Sequence, residues 1–361
     1  MSGAGARKLR LGVIFGGRSG EHEVSVVSAQ YVMAAIDRSR FEVVPIGVTK
    51  NGAWLTPEET QSQMDAPAAP FKKTLVGEAE GLLGRPQALS VLTDIDVAFP
   101  LIHGPSGEDG TLQGLLELAR VPYAGAGVAA SAAGLDKALI KALLRDAGLP
   151  VIDWLVMTRP QWAKDAADLT QRVEAEVGYP CFVKPANGGS SVGITKAHSR
   201  EELTSGIAWA FRFDRKLIVE KGVEPREIEC AVLGNDEPEA SPLGEIICGR
   251  EFYDYEAKYL DSSTTLSIPA KLARDRSSRI RALALDAYRA IDCCGMARID
   301  FFLTPQDAVF VDELNTIPGF TPGSMYPRLW QVAGLSYSEL ISRLVDLGLE
   351  RFEERERLAQ G

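Results

Sequence analysis

Apolar and polar positions along the chain follow two different periods, and the changes of period mark the predicted strands and helices. The run from Leu9 to Phe15 is almost continuously apolar and stops at two glycines, which is typical of a buried strand. From Glu21 to Ile36 apolar residues recur at every third or fourth position, which predicts a helix. Up to residue 126 the pattern predicts further strands and one helix: strands Phe41–Val48, within Val91–Ile102 and Val121–Tyr123, and helix Thr111–Ala119. This order predicts an open α/β layer with a mainly parallel sheet.

After residue 126, the pattern predicts short strands separated by longer helices. The predicted helices are Leu135–Ala147, Gln161–Glu176, Ser277–Ile291 and Ser336–Leu347. The predicted strands are Trp154–Met157, Cys181–Lys184, Leu217–Glu220, Glu227–Leu233 and Leu243–Cys248, together with a hairpin of Ala297–Leu303 and Ala308–Leu314. The charged residues Glu350–Gly361 predict a fraying tail.

Length and composition limit the class of protein. A chain of 361 residues suits two or three packed subdomains, and 45% hydrophobic and 24% charged residues are close to the averages of globular proteins. The sequence has no run of the ~18 to 20 apolar residues that a membrane span needs. The first ten residues are basic without an apolar segment behind them, which argues against export and favours the cytoplasm. A net charge of −10 without a basic block argues against nucleic acid or a membrane as partner.

Cysteine and histidine usage argues against disulfides and zinc. The five cysteines (Cys181, Cys230, Cys248, Cys293, Cys294) show no CxxC spacing and are interpreted as small thiols in a reducing compartment. The three histidines form no metal-binding motif.

The predicted hairpin carries the strongest candidate site. Alternation along Arg298–Phe302 places Arg298 and Asp300 on one face, and a turn centred on Gln306 and Asp307 places Asp300 opposite Glu313, with Asn315 on the same face. Two carboxylates facing each other repel, so a cation is expected between them, and these oxygen ligands suit Mg²⁺. The alternative is a solvated polar strand face, which the apolar flanks of both strands disfavour.

Three further segments carry candidate chemistry. Lys184 ends a strand before the glycine- and serine-rich loop Asn187–Gly193, a pattern that can hold a phosphate but could also be a surface turn. Neither a Walker A loop nor a dinucleotide fingerprint is present in the sequence. Glu21 begins a helix, where an acid is stabilised whatever its role, and His103 starts a glycine-rich turn at the end of a strand, where open α/β sheets bind ligands.

These motifs occur together in one order along the chain. The order is Gly16–Ser25, His103–Gly114, Lys184–Gly193, Tyr253–Tyr259, Arg298–Asp300, Glu313–Asn315 and Pro318–Ser324. This series resembles the D-alanine–D-alanine ligase family of the ATP-grasp superfamily over about Leu9 to Leu347.

The resemblance implies an α/β fold of three subdomains: residues 1–126 for substrate, 127–220, and 221–361. ATP would lie between the last two subdomains and two D-alanine molecules where all three meet. It also implies two Mg²⁺ ions, with Mn²⁺ as an alternative, a homodimer and a part in peptidoglycan precursor synthesis. The implied metal ligands are Asp300, Glu313 and Asn315.

The resemblance also implies roles for individual residues in binding and catalysis. Phosphate contacts would come from Lys137, Lys184 and Lys258, and the adenine and ribose contacts from the backbone of Glu220, Lys221 and Val223 and from Glu227. Glu21 would bind the first D-alanine's ammonium, with Ser190 and Tyr259 linked to it and His103 beside it. Arg298 and the Gly319 N–H would stabilise the oxyanion, and Ser324 and the Met325 N–H would bind the second D-alanine's carboxylate. The aromatic segment Phe252–Leu260 would form a lid that excludes water.

The sequence departs from the family pattern at two places and leaves rival activities open. Ala186–Gly188 replaces a bulkier charged segment, and Gly222 stands where an aromatic residue is common. Rival functions are a D-alanine–D-lactate ligase, another carboxylate–amine ligase of the superfamily, and a non-catalytic nucleotide-binding module. The segment Glu256–Tyr259 resembles the dipeptide-forming type, and retention of all phosphate and metal positions disfavours the last alternative.

Overall fold

The first sheet is parallel, as the N-terminal pattern predicts. The computed structural model describes residues 7–66, 72–77, 90–247 and 265–360. Strands β1 (Leu9–Gly16), β2 (Phe41–Val48) and β3 (Val97–Pro100) form a sheet of order β2-β1-β3, with both pairings parallel. Helices α1 (His22–Ala35), α2 (Pro57–Asp65) and α3 (Thr111–Leu118) accompany it. The strand predicted at Val121–Tyr123 is reduced to a single bridge between Tyr123 and Ala98.

The helix predicted at Leu135–Ala147 is present in the structure, and a further helix that was not predicted lies directly before it. Helix α4 (Val128–Leu135) ends where α5 (Lys137–Asp146) begins, and Asp136 separates them. The Asp136 carboxylate accepts hydrogen bonds from the N–H groups of Ala138 and Leu139, at 3.0 and 3.1 Å, so it caps α5. The first of these helices is made of small residues without apolar contrast, which is why periodicity does not reveal it.

The other two sheets are antiparallel and complete the mixed α/β architecture. The second has the order β4-β7-β5-β6, with β4 (Trp154–Thr158), β5 (Cys181–Pro185), β6 (Thr195–Ala197) and β7 (Lys216–Lys221), and carries helices α6 (Arg159–Glu176) and α7 (Arg200–Ala210). The third has the order β10-β9-β8-β11-β12 and comprises β8 (Arg226–Gly234), β9 (Glu239–Ile247), β10 (Thr265–Ser267), β11 (Gly295–Leu303) and β12 (Val309–Asn315). Helix α8 (Arg274–Ala290) packs on this sheet. Helix α9 (Met325–Val332) follows the third sheet along the chain. The strand predicted at Leu243–Cys248 falls within β9 except for Cys248, which lies outside the described residues.

The charged C-terminal residues are helical, so the predicted fraying tail is wrong. Helix α10 runs from Tyr337 to Gln360. Its last turns are held by the segment that follows α3, because Arg351 donates hydrogen bonds to the carbonyls of Gly125 (2.5 Å) and Tyr123 (3.2 Å). Arg355 also pairs with Glu117, and Arg120 with Glu356. These contacts join residues more than 200 positions apart, which no local pattern can reveal.

One hydrophobic core spans the beginning and the end of the chain. It combines Phe15 and Phe99 of the first sheet with Ala231 of the third sheet and Leu340 and Leu344 of α10, all fully buried. A second core lies between the third sheet and helices α4, α5 and α8. Helices α4 and α5 therefore share a core with the third sheet, whereas they precede the second sheet in sequence. The four described cysteines, Cys181, Cys230, Cys293 and Cys294, are free thiols.

Candidate active site

One cavity of about 460 Å³ opens where the three sheets meet, and most of the predicted site residues line it. Those lining it are Glu21, His103, Lys137, Lys184, Ser190, Glu227, Arg298, Asp300, Glu313, Asn315, Gly319, Ser324 and Met325. Glu220, Lys221 and Val223 do not line it. Lys258, Tyr259 and the rest of the predicted lid lie outside the described residues.

Glu21 is bonded across the cavity rather than to its own helix. It occupies the cap position of α1, but its side chain makes no capping hydrogen bond. Its carboxylate instead accepts a hydrogen bond from the hydroxyl of Ser190, in the loop between β5 and β6. A methyl group on Gly189 would lie 2.7 Å from Glu21 Oε2, so a glycine at this position lets the loop approach the carboxylate. Ser190 and Ser191 both have positive φ (47° and 59°), a conformation that side chains rarely adopt and that is often found at binding sites.

His103 is buried and neutral. Its Nδ1 lies 3.0 Å from the carbonyl oxygen of Ile317, which can only accept, so Nδ1 carries the proton. Nε2 is then an acceptor and lies 3.5 Å from the hydroxyl of Ser28. Burial lowers the pKa of His103, against the opposing charge of Glu21. The imidazole is therefore placed as an orienting group and not as a cation.

Lys137 anchors the glycine-rich loop to the start of α5. Its ammonium donates to the carbonyl of Gly188 at 2.8 Å and lies 3.8 Å from Glu313. Its backbone N–H donates to the carbonyl of Ala186 at 2.9 Å. The loop is thus fixed at its base while its tip reaches Glu21.

Lys184 belongs to a largely buried group of four charges, of which Lys184 and Asp312 line the cavity. Its ammonium lies 2.5 Å from Glu220 and 3.7 Å from Asp312. Lys141, whose side chain is 1% exposed, pairs with the other Glu220 oxygen and lies 3.9 Å from Asp312. Burial opposes ionisation of Glu220, but Lys141 and Lys184 together lower its pKa to about 2. Glu220, proposed from sequence for its backbone, therefore also holds Lys184 through its side chain.

The hairpin pairs Asp300 with Glu313, as predicted, but by a different route. From Leu303↔Val309 to Phe301↔Val311 the pairing is centred on Gln306, and a bulge then shifts the register to Asp300↔Glu313. The predicted turn centre was half a residue away, and the bulge compensates for it. The bulge also makes Asp312 and Glu313 both line the cavity, whereas strict alternation would turn one of them away.

Arg298 and three carboxylates form a crowded cluster at the centre of the cavity. The Arg298 guanidinium donates two hydrogen bonds to Asp300, both 2.7 Å, and lies 3.1 Å from Glu229. Asn315 Nδ2 donates to Asp300 at 3.0 Å. Burial raises the pKa of Asp300 well above its usual range, against the Arg298 charge and together with Glu229 and Glu313. Negative charge therefore exceeds positive charge in this cluster.

The donor set of this cluster fits a hard divalent cation. Asp300, Glu313 and Asn315 offer carboxylate and amide oxygens on two paired strands, the ligand type that Mg²⁺ and Mn²⁺ take. A bound cation would reduce the repulsion between the carboxylates, which outnumber the positive groups in this cluster. Within the described residues, no group of three or more histidine, cysteine, aspartate or glutamate side chains forms a metal site, so the set depends on the amide of Asn315.

The loop after β12 leads into helix α9 at the far side of the cavity. The Ser324 hydroxyl accepts from the N–H of Thr321 at 3.1 Å, and Ser324 occupies the cap position of the helix that begins at Met325 without a side-chain capping hydrogen bond. Gly319 packs close to it, since a methyl group there would lie 3.1 Å from Ser324 Oγ. The helix N-terminus favours an anion at this end.

Sequence reasoning missed four charged residues around the site: Lys141 and Glu229, which are buried, and Glu108 and Asp312, which are partly buried. Lys141 follows Lys137 by four residues on one helix, a spacing that could have placed both on the same face. Asp312 is revealed only by the bulge. Glu108 stands inside the glycine-rich turn after His103, and one of its two partners, Ile317, is distant in sequence.

The comparisons with known proteins cover nearly the whole chain. Residues 10–126 match the family model described as D-ala D-ala ligase N-terminus, and residues 143–346 match D-ala D-ala ligase C-terminus. A D-alanine–D-alanine ligase of Geobacillus thermodenitrificans is 47% identical over 357 residues, covering 97% of this chain and 98% of the relative. D-alanine–D-alanine ligase A of Escherichia coli is 47% identical over 354 residues, covering 95% of this chain and 96% of the relative.

Solved structures give the same result for the fold. The D-alanine-D-alanine ligase from Coxiella burnetii has a TM-score of 0.81 at 34% identity and covers 98% of both chains. The VanG D-Ala:D-Ser ligase from Enterococcus faecalis has a TM-score of 0.78 at 34% identity, over 95% of this chain and 100% of the other. No helix among residues 7–66, 72–77, 90–247 and 265–360 is both long and apolar enough to span a membrane.

Proposed function

The chain belongs to the D-alanine–D-alanine ligase family, and from this we propose which of its residues carry each part of the reaction. It is an ATP-dependent ligase that joins two D-alanine molecules to D-alanyl-D-alanine for peptidoglycan synthesis. The carboxylate of the first D-alanine attacks the γ-phosphoryl group of ATP, which gives ADP and an acyl phosphate. The amine of the second D-alanine then attacks the acyl carbon, and phosphate leaves. The observation that carries the assignment of residues is one cavity in which three sheets bring acids, lysines and an arginine together.

Glu21 is proposed to bind the ammonium of the first D-alanine. Its carboxylate accepts a hydrogen bond from Ser190 and lies near His103. The buried, neutral His103 ring lines the same part of the cavity and adds no charge to it. From the family resemblance, Tyr259, which lies outside the described residues, is proposed to complete this contact. Binding in this way aligns the substrate carboxylate with the phosphate end of ATP.

The nucleotide is proposed to lie between the second and third sheets. Lys137 and Lys184 are the described lysines that line the cavity and would contact its phosphates, with Lys258 as a third from sequence. Glu227 also lines the cavity and would bind the ribose. The backbone of Glu220, Lys221 and Val223 would take the adenine edge, at the end of β7 where the chain leaves the second sheet.

The metal site is proposed at Asp300, Glu313 and Asn315, as the fit of their oxygen donors supports. Two Mg²⁺ ions, or Mn²⁺, would supply neutralisation of phosphate charge when bound. Arg298 is bonded to Asp300 of this site and lines the same cavity as Gly319. It is proposed to stabilise the tetrahedral oxyanion together with the Gly319 N–H, a contribution typically of ~3 to 4 kcal/mol per donor.

The second D-alanine is proposed to bind with its carboxylate at Ser324 and the Met325 N–H. The support is the position of both residues at the start of helix α9, inside the same cavity.

We also propose the subdomain limits 1–126, 127–220 and 221–361, a cytoplasmic location in keeping with the use of ATP, and a homodimer. Light scattering of the purified protein would test the homodimer.

Release of phosphate from ATP tests the function directly. It should require D-alanine, and mass spectrometry should identify the product as D-alanyl-D-alanine. L-Alanine serves as the matched control, while D-alanine mixed with D-lactate or with D-serine separates dipeptide formation from the rival acceptors. Equal phosphate release with L-alanine would contradict the proposal.

A further inference from the structure

Glu108 bonds to two loops that belong to different sheets. Its Oε2 accepts a hydrogen bond from the N–H of Gly104 at 2.5 Å, within the turn that follows β3. Its Oε1 accepts a hydrogen bond from the N–H of Ile317 at 3.1 Å, in the loop that follows β12. Both oxygens of one partly buried carboxyl group are thus used by backbone N–H groups 213 positions apart, from Gly104 to Ile317.

Both backbone polar groups of Ile317, its N–H and its carbonyl, are hydrogen-bonded to side chains at the end of β3 and in the turn that follows it. The Ile317 N–H donates to Glu108, and its carbonyl accepts from Nδ1 of His103 at 3.0 Å. Ile317 is 4% exposed, so water cannot substitute freely for either partner. Two residues before Ile317 stands Asn315, and two residues after it stands Gly319, both proposed above as parts of the reaction centre.

We propose that Glu108 is a positioning residue for the ligation reaction: together with His103 it fixes the Ile317 peptide and so sets the distance between the first-substrate side, at Glu21, and the oxyanion side, at Gly319. The inference rests on the proposed function. Glu108 acts through the backbone and is not assigned a contact with the reacting atoms, because both of its oxygens are already engaged.

The chemistry of the group supports a positional requirement. Burial, followed by the charge of Glu21, raises the pKa of Glu108 to about 8, so a carboxyl group is an unfavourable choice at this place. A glutamine would avoid that electrostatic cost, but it has only one acceptor oxygen and would set its amide N–H₂ against one of the two backbone donors. A carboxyl group of this length offers one acceptor oxygen to each of the two loops.

Asp109, the next residue, provides a matched control. It also accepts two backbone hydrogen bonds, from Ser106 at 2.8 Å and from Thr111 at 3.0 Å. Both partners belong to its own turn, and neither lies in the loop that carries Ile317. Loss of Asp109 therefore weakens the turn without releasing the Ile317 peptide.

The test compares Glu108→Ala and Glu108→Gln with Asp109→Ala in steady-state kinetics of D-alanine-dependent phosphate release. Misplacing a reacting group by about 1 Å can cost on the order of 100-fold, so Glu108→Ala should lower kcat by about 10- to 100-fold with little change in the KM for ATP. Glu108→Gln should show a smaller loss, and Asp109→Ala should keep kcat close to that of the wild type. Amide hydrogen exchange of residues 315–324 should accelerate in the Glu108 variants and not in Asp109→Ala.

Two results would overturn the inference. One is a Glu108→Ala variant with a wild-type kcat and unchanged amide hydrogen exchange at residues 315–324. If Glu108→Ala does not fold, the same result in Glu108→Gln would overturn the inference. The other is an equal loss of kcat in Asp109→Ala, since that would reduce the effect to stability of the turn. A wild-type protein that releases no phosphate in response to D-alanine would instead refute the proposed function, and the exchange measurement would still decide the contact.

Discussion

Asp300 faces Glu313 across the hairpin, yet the positive group that neutralises it in this structure is Arg298, two residues earlier on its own strand. The arginine is therefore bound to the carboxylate that is proposed to hold the metal. Binding of Mg-ATP would give Asp300 a second cation and weaken its hold on Arg298. The same guanidinium would then become available to the oxyanion.

Replacement of this carboxylate tests the metal assignment. Asp300→Asn should lower phosphate release by about 100-fold or more, because a ligand of the charge-neutralising ion is lost. The metal-free variant should be as stable as the parent or slightly more so, since the raised pKa of Asp300 shows that its charge is disfavoured there despite Arg298. Melting temperature and phosphate release would be measured with and without Mg²⁺.

The control for this variant is Asp307→Asn, in the turn of the same hairpin. Asp307 pairs with Arg276 outside the cavity and has a positive φ that asparagine tolerates. It should keep its activity and its gain in melting temperature with Mg-ATP. An active Asp300→Asn enzyme would rule out the proposed metal site.

The approach of the glycine-rich loop to Glu21 predicts a difference between two neighbouring glycines. Gly189→Ala places a methyl group 2.7 Å from Glu21 Oε2, so the carboxylate or the loop must shift. The KM for D-alanine should rise about 10-fold or more, as expected for a charged hydrogen bond worth roughly 1.5 to 3 kcal/mol. The methyl group of Gly188→Ala meets Pro185 at 3.6 Å and the carbonyl oxygen of Val192 at 4.0 Å, both ordinary contacts, so this variant should leave the KM unchanged. Equal kinetics for the two variants would contradict the proposed role of Glu21.

The buried lysine pair predicts an acid-dependent loss of stability. Lys141→Met leaves Glu220 and Asp312 with one lysine, and breaking a buried pair typically costs about 3 to 5 kcal/mol of unfolding free energy. The Glu220 pKa is lowered to about 2 when folded, against about 4.3 when unfolded, so its stabilising charge is present above the higher value and lost as pH falls toward the lower one. The stability difference between wild type and variant should therefore shrink over that range. Urea unfolding at several pH values would measure it, and a difference independent of pH would exclude the pairing as its cause.

The helical C-terminus predicts that one arginine there matters far more than another. Arg351→Ala removes two hydrogen bonds to first-subdomain carbonyls and a contact with the Tyr123 ring, so it should cost about 2 kcal/mol of unfolding free energy. Arg343→Ala, at an exposed position of the same helix, should cost less than about 0.5 kcal/mol. Urea unfolding of both variants would decide, and similar losses would show that the docking contacts contribute little.

Much of this molecule could be predicted because its signals are local. Periodicity located most strands and several helices, and alternation brought Asp300 and Glu313 to one face. What periodicity could not predict depends on distant partners: the bulge that turns Asp312 inward, the burial of Lys141, and the contact of Glu108 with Ile317. The tail was misjudged for the same reason, since its charged residues are paired by side chains from the other end of the chain.

The core that joins β1 and β3 to helix α10 has a consequence for synthesis on the ribosome. The first sheet leaves the exit tunnel long before the helix that covers it, because that helix contains the last residues described. Until then Phe15 and Phe99 have no cover from Leu340 and Leu344, so the first subdomain cannot complete its packing as it emerges. The nascent chain should therefore depend on chaperones for most of its translation, and a stalled product that ends before residue 337 should aggregate rather than persist as a folded fragment.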